Sequence, residues 1–181
     1  QRVGHYEILG KLGEGGMVAV YLALHGELNR LIALNTISEL WLSIGVILKR
    51  FIQEAEVLAK IDHPNVVTTY AFFQERGRWF LAMEYVEGPA LSSLVRPGSP
   101  VPVREAVELA YKVARGLACA HEYGVIHRDV KPSNVLMKSR STPKISDFGL
   151  VRYIKNEEIY PRTKTTLLGS PKHMSPEHWS G

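Results

Sequence analysis

His127-Arg128-Asp129-Val130-Lys131-Pro132-Ser133-Asn134, followed after a short interval by Asp147-Phe148-Gly149, is the stretch on which the reading of this chain turns. It places two acids, a lysine and an asparagine in loop-like sequence. Together they supply a carboxylate that can orient a hydroxyl, a cation for a phosphate and two oxygen ligands for Mg²⁺. Any one of them alone reads as a solvated loop residue, but the whole set at this spacing is a specific signal. A second, weaker signal lies near the N-terminus. Gly13-Glu14-Gly15-Gly16 sits between two apolar runs, where missing Cβ atoms let backbone N–H groups approach phosphate oxygens. Alone, it reads as an ordinary glycine hairpin.

Outward from these motifs, the chain has 181 residues, 45% of them hydrophobic and 22% charged, an ordinary globular composition that excludes disordered and collagen-like classes. Its net charge of +4 is spread among interleaved acids, so there is no basic stripe of the kind nucleic-acid binders carry. Cys119, the single cysteine, lies in an apolar helical pattern and reads as a small core hydrophobe; this usage suits a reducing cytoplasm. The most apolar stretch, Leu40 to Leu48, is too short to span a bilayer. No metal-site spacing is found among the histidines, and His127 reads as a packing residue. The start at Gln1 suggests a segment of something longer.

Short apolar runs at Tyr6-Glu7-Ile8-Leu9, Ala19-Val20-Tyr21-Leu22-Ala23, Leu31-Ile32-Ala33-Leu34 and Phe80-Leu81-Ala82-Met83 predict an antiparallel sheet. Between Lys49 and Ile61 the period turns helical, with Phe51, Ala55, Leu58 and Ala59 on one face. Glu87-Gly88-Pro89 breaks the pattern and predicts a boundary between residues 1–86 and 87–181. Beyond it, Pro102 opens a long helix predicted to bury Val103, Val107, Ala110, Ala114 and Leu117, and Gly124 ends it.

These strings resemble the protein kinase signature. The resemblance implies an α+β, two-lobed fold: an antiparallel sheet with helix C in the first lobe, and an incomplete, mainly helical second lobe. It implies transfer of the ATP γ-phosphoryl to a protein hydroxyl, with Asp129 as catalytic base, Lys131 on the γ-phosphate, and Asn134 and Asp147 as Mg²⁺ ligands. Lys131-Pro132 resembles the serine/threonine class. Met83 takes the gatekeeper position, and Glu84-Tyr85-Val86 the hinge whose backbone bonds adenine. Leu12, Val20, Ala33 and Leu136 match positions that sandwich the base, and Gly13, Gly15 and Gly16 those that cover the phosphates. Glu54 matches the helix-C glutamate, which the helical pattern supports by placing it beside Phe51 and Leu58. Arg128 implies control by phosphorylation of the activation loop, with Thr163, Thr165 and Thr166 as candidates. Ser170-Pro171 and Ser175-Pro176-Glu177 resemble that segment's end. The run from Gly13 to Tyr21 looks like bacterial serine/threonine kinases, which often carry a membrane span after the kinase; this chain is expected to be cytoplasmic.

Two departures stand out. The family's strand lysine falls in a Val-Ala-Ile-Lys pattern, and here the tetrad is Ile32-Ala33-Leu34-Asn35. An amide carries no charge, so the α- and β-phosphates lose a cation and Glu54 loses its ion-pair partner. Val18, at the third glycine position, offers no replacement lysine, and nothing in the sequence brings Lys11 or Lys49 to the phosphates. The second departure is the end at Gly181, where the family continues for about a third of its domain; an apolar face on the long helix is then expected to lie open to a protein partner. Three readings follow: a serine/threonine kinase impaired at Asn35, a pseudokinase that binds or scaffolds, or a fragment without function of its own.

Overall fold

Strict two-residue alternation builds the N-terminal part. In Arg30–Ile37, Ile32 and Leu34 are buried toward one side while Ala33 and Asn35 point to the other. The computed structural model describes residues 1–14, 18–37, 52, 55–95, 98, 100–127, 129–148 and 171–173. Within them are strands β1 (Arg2–Val3), β2 (Tyr6–Glu14), β3 (Val18–His25), β4 (Arg30–Ile37), β5 (Thr69–Glu75) and β6 (Arg78–Glu84). They form one antiparallel sheet in the order β1-β2-β3-β4-β6-β5. Each run predicted as a strand lies in it. Val3, Tyr6, Ala23, Ile32, Leu34, Phe80 and Ala82 form the core on one face, with Phe73 stacked between Tyr6 and Phe80 at 5.5 Å from each. Burying an aliphatic side chain of this kind contributes about 1.5–3 kcal/mol. Register places Val20, Ala33, Asn35, Leu81 and Met83 together on the opposite face.

Residues 55–58 are helical, in keeping with the periodicity there, although most of the predicted Lys49–Ile61 helix lies outside the described residues. Leu58, Ile61 and Val66 from this region join Ala120, Val125, Ile145 and Phe148 in a second core that spans the two halves of the chain. Backbone bonds reinforce the junction. Val67 N–H donates to Ile145 O at 2.9 Å and Ile145 N–H to Asn65 O at 2.8 Å.

The long helix α1 runs Val103–Glu122 and ends as predicted. Gly124, at φ 75°, donates to His121 O, and Val125 N–H donates to Ala120 O, closing the terminal carbonyls in a Schellman motif. Its buried face is not the predicted one. Leu109, Gly116 and Ala120 are buried, whereas Val103 is 81% exposed and Val107 and Tyr111 62% each. Ala110 and Ala114 are exposed as well, and Leu117 is only partly buried. The physical reason is close approach. A Cβ on Gly116 would stand 2.9 Å from the Ile145 side chain and 3.0 Å from Asn65 O, so the helix meets the strand carrying Ile145 through its smallest residues. A pattern search weighted to large side chains overlooks such a face. Cys119 is half-buried at the edge of the second core.

After α1 come a short 3-10 turn, Pro132–Asn134, and the hairpin β7 (Val135–Ser139) and β8 (Thr142–Ile145). The segment leaving the large sheet packs directly on this hairpin. A Cβ on Gly88 would fall 1.6 Å from Met137 O, and Met137 N–H bonds Pro89 O at 2.9 Å. Gly88→Ala is therefore expected to cost about 3 kcal/mol by forcing the segment off β7, measured as a lower urea midpoint.

Candidate active site

The predicted loop residues converge. Asp129 accepts an ion pair from Lys131 at 2.8 Å, both side chains about three-quarters buried. Asn134 Nδ2 donates to Asp129 O at 2.9 Å and to its Oδ2 at 3.3 Å, so the asparagine's Oδ1 is the end turned to other duties. Proline at the start of the 132–134 turn and the Asn134 N–H to Lys131 O bond at 2.9 Å hold this geometry. Ser146 ties in the second motif, its N–H and hydroxyl both donating to Asn134 O, at 2.9 and 3.3 Å. Asp147 follows at φ 57°, a left-handed conformation that aspartate adopts more readily than most residues with a side chain. Its carboxyl keeps access to solvent, but the crowding of protein around it raises its pKa above 3.8. Asp129 acts in the same direction, against Lys131 and a hydrogen bond with Ser146.

His127 organises the loop from beneath. It is 1% exposed, its ring 4.8 Å from that of Phe148. Nδ1 accepts the Asp129 N–H at 3.2 Å, which requires the proton on Nε2, where it is donated to Ser146 O at 2.9 Å. Burial lowers its pKa below 6.5, against the bond to Ser146 O and the nearby Asp147 and Asp129. The ring stays neutral in the fold while the unfolded chain takes up its proton as pH falls below about 6.5. Stability from this group is thus complete above that pH and lost on acidification through the depressed pKa. Between pH 7 and pH 5, His127→Gln is expected to show a shallower fall in unfolding free energy than the parent chain, His63 contributing equally to both.

On the sheet side, Met83 is half-buried between Ala33 and Thr69 in register. Val20 and Ala33 are partly buried on its face of the sheet, Leu12 is 47% exposed near the tip of β2, and Leu136 lies on β7, bridged to Ala90. Gly13 and Glu14 still pair with Val20 and Ala19. Asn35 sits opposite Val20 and Leu81, only 8% exposed, and its Oδ1 has no hydrogen-bond partner among the described residues. Lys11 does not fill in for the missing cation, being paired with Glu14 on the exposed strand. Gly15, Gly16, Glu54, Arg128, Gly149, Thr163, Thr165 and Thr166 lie outside the described residues, as do Lys49 and most of the segment past Phe148.

The hinge carries a feature the sequence reading overlooked. Glu84 N–H donates to Thr68 O at 2.8 Å, so that group is committed within the fold. Its carboxylate is 11% exposed and receives Lys144 at 2.6 Å and Lys138 at 2.9 Å. Lys144 is itself buried and also donates to Val66 O at 3.0 Å. A lysine inside the apolar strand Thr142–Ile145 was the available signal, because a cation in such a position needs a buried partner.

The donor set fits a hard cation. Among the described residues no three His, Cys, Asp or Glu side chains cluster as metal ligands. Asp147 and Asn134 Oδ1 offer two oxygens, which suits Mg²⁺ completed by phosphate and water.

This geometry has known counterparts. The protein kinase domain family matches residues 6–180. The chain belongs to the protein kinase family. Its bacterial relatives include a probable serine/threonine-protein kinase of Clostridium perfringens, 35% identical over 97% of this chain, and PrkC of Bacillus subtilis, 34% identical over 98%. The chain spans 25% and 27% of the length of these two relatives. The PknI kinase domain of Mycobacterium tuberculosis superposes with a TM-score of 0.72 at 31% identity, covering 83% of this chain and 61% of that one. Rad53, solved in complex with AMP-PNP, superposes at 0.69 with 27% identity, over 81% of this chain and 38% of its own. The kinase fold is therefore shown, with its antiparallel N-terminal sheet and few helices beyond. No helix among the described residues is long and apolar enough to cross a membrane.

Proposed function

We propose that the chain is the catalytic domain of an MgATP-dependent serine/threonine protein kinase whose phosphoryl transfer is slowed by Asn35. The observation that carries this reading is the joined cluster of Asp129, Lys131 and Asn134, tied through Ser146 to Asp147. In this reading residues 1–86 form the nucleotide lobe and 87–181 the substrate lobe. Val20 and Ala33 above and Leu136 below enclose the adenine, with Met83 at the back and the Glu84 carbonyl and Val86 N–H along its edge. Asn134 and Asp147 hold Mg²⁺, which supplies charge to gather the phosphate oxygens. Asp129 orients the acceptor hydroxyl and takes its proton, while Lys131 contacts the γ-phosphate. The relatives, both named serine/threonine-protein kinases, support that class of acceptor.

One observation favours a second reading, a pseudokinase that binds but does not transfer. Asn35 is buried where the family places a cation, and its Oδ1 has no hydrogen-bond partner among the described residues. The test is label transfer from MgATP to a basic protein acceptor by the chain, with and without Asp129. Asp129-dependent transfer is expected. Its absence, even after Asn35→Lys, would leave the pseudokinase reading in possession.

A further inference from the structure

The hinge carboxylate is bonded away from the cleft. Glu84 ends β6, and its side chain turns to the β7–β8 hairpin, where Lys138 comes from β7 and Lys144 from β8. Thr68 completes the shell, its N–H and hydroxyl approaching Glu84 Oε2 at 3.5 and 3.4 Å. Lys144 reaches on to Val66 O, and Asn65 Nδ2 donates to Pro143 O at 2.8 Å. Together these bonds tie the segment 65–68 and the end of β6 to the hairpin that precedes Asp147.

We infer that Glu84 and Lys144, with the exposed Lys138 as a minor third member, form a pin that fixes the hinge to the β7–β8 hairpin, making Lys144 a positioning residue for the nucleotide edge. The carbonyl of Glu84 belongs to the same residue as the pinned carboxylate, so the pin sets where that carbonyl stands relative to Leu136 on the same hairpin. The two lysines differ in weight. Lys144 is 7% exposed and Lys138 59%, so the first is a desolvated partner whose loss strands a buried carboxylate, and the second is screened by water. Burial alone would raise the pKa of Glu84, yet its bonds to Lys144 and Lys138 hold it below 4.5, so the carboxylate stays ionised. A consequence for motion follows. Residues 65–68 and 84 move with the hairpin, and opening of the cleft falls to the strands before them.

The positioning part rests on the nucleotide reading above; the pin itself does not. The test uses the full 181-residue chain and its Lys144→Met, Lys144→Arg and Lys138→Met variants. Amide hydrogen exchange is followed at Val67, Glu84 and Ile145, whose N–H groups make the cross-links, and in β3 and β4 as reference. Adenosine, which probes the base contacts without phosphate, is the ligand. Lys144→Met is expected to speed exchange at those three amides at least tenfold relative to the reference strands and to weaken adenosine binding about tenfold. Lys144→Arg should recover most of both, and Lys138→Met should change each less than threefold. Equal acceleration in the reference strands would overturn the pin, because it would report global loosening alone. Faster local exchange with unchanged adenosine affinity would overturn the positioning role. Should Lys144→Met fail to fold, Glu84→Gln, which keeps the shape and loses the charge, is read by the same criteria. Failure of the unmodified chain to bind adenosine would sink the nucleotide reading and the positioning role with it, while the exchange pattern still judges the pin.

Discussion

Restoring lysine at Asn35 is expected to raise phosphoryl transfer on the order of 10²–10³-fold, the scale associated with one preorganised electrostatic group in a water-poor site. Asn35 is paired with Val20 and Leu81 on the sheet face that carries Ala33 and Met83, so a longer side chain there extends along the proposed nucleotide face. At present the position is a cost without evident return, since its buried Oδ1 finds no donor among the described residues. Asn35→Leu separates the two consequences. Removing the unsatisfied acceptor should stabilise the fold by about 1 kcal/mol while leaving transfer no faster. Lysine should accelerate transfer and strengthen MgATP binding far more than adenosine binding, because its charge acts on phosphates. Steady-state transfer and calorimetric titration of the two ligands check this. Equal rates for the parent chain and its Asn35→Leu and Asn35→Lys variants would show that the deficit lies elsewhere.

What the sequence made legible, and what it hid, follows from the range of the interactions involved. The strands and the joined residues Asp129, Lys131 and Asn134 were readable because their determinants are local: two-residue alternation in Arg30–Ile37, and a proline and short spacing in 127–134. The end of α1 at Gly124 was equally local. Its buried face was not. Gly116 and Ala120 are buried because β8 and Asn65 approach within contact of a missing side chain, a fact that exists only once distant segments meet. The same holds for Lys144 and Glu84, 60 positions apart and joined at 2.6 Å. The position of Glu84 after Met83 points to its backbone and says nothing of what its side chain meets. A buried acid and a buried lysine in separate strands predict a pairing somewhere, but periodicity does not say with whom.

The sharpest demand on the catalytic reading falls on Asp129. Its replacement by asparagine is expected to lower transfer by about 10²–10⁴, the range for a positioned general base, with nucleotide affinity changed little. The fold should tolerate the exchange. Asn134 donates to the main-chain oxygen of residue 129 at 2.9 Å, and His127 Nδ1 takes its N–H at 3.2 Å, so neither contact depends on the carboxylate. Lys131 loses its charged partner and Asn134 its longer bond to Oδ2 at 3.3 Å, and as the Lys131 side chain is 25% exposed, water replaces part of what is lost. Asp147→Asn should behave differently, weakening MgATP binding itself while sparing adenosine, since that carboxyl is proposed to act through the metal. Measured in the Asn35→Lys background, where transfer is fast enough to follow over several decades, the two substitutions separate proton removal from metal holding. If Asp129→Asn transferred phosphate at the parent rate, the cluster around Asn134 would be a structural tie of the loop, and the hydroxyl would need another base.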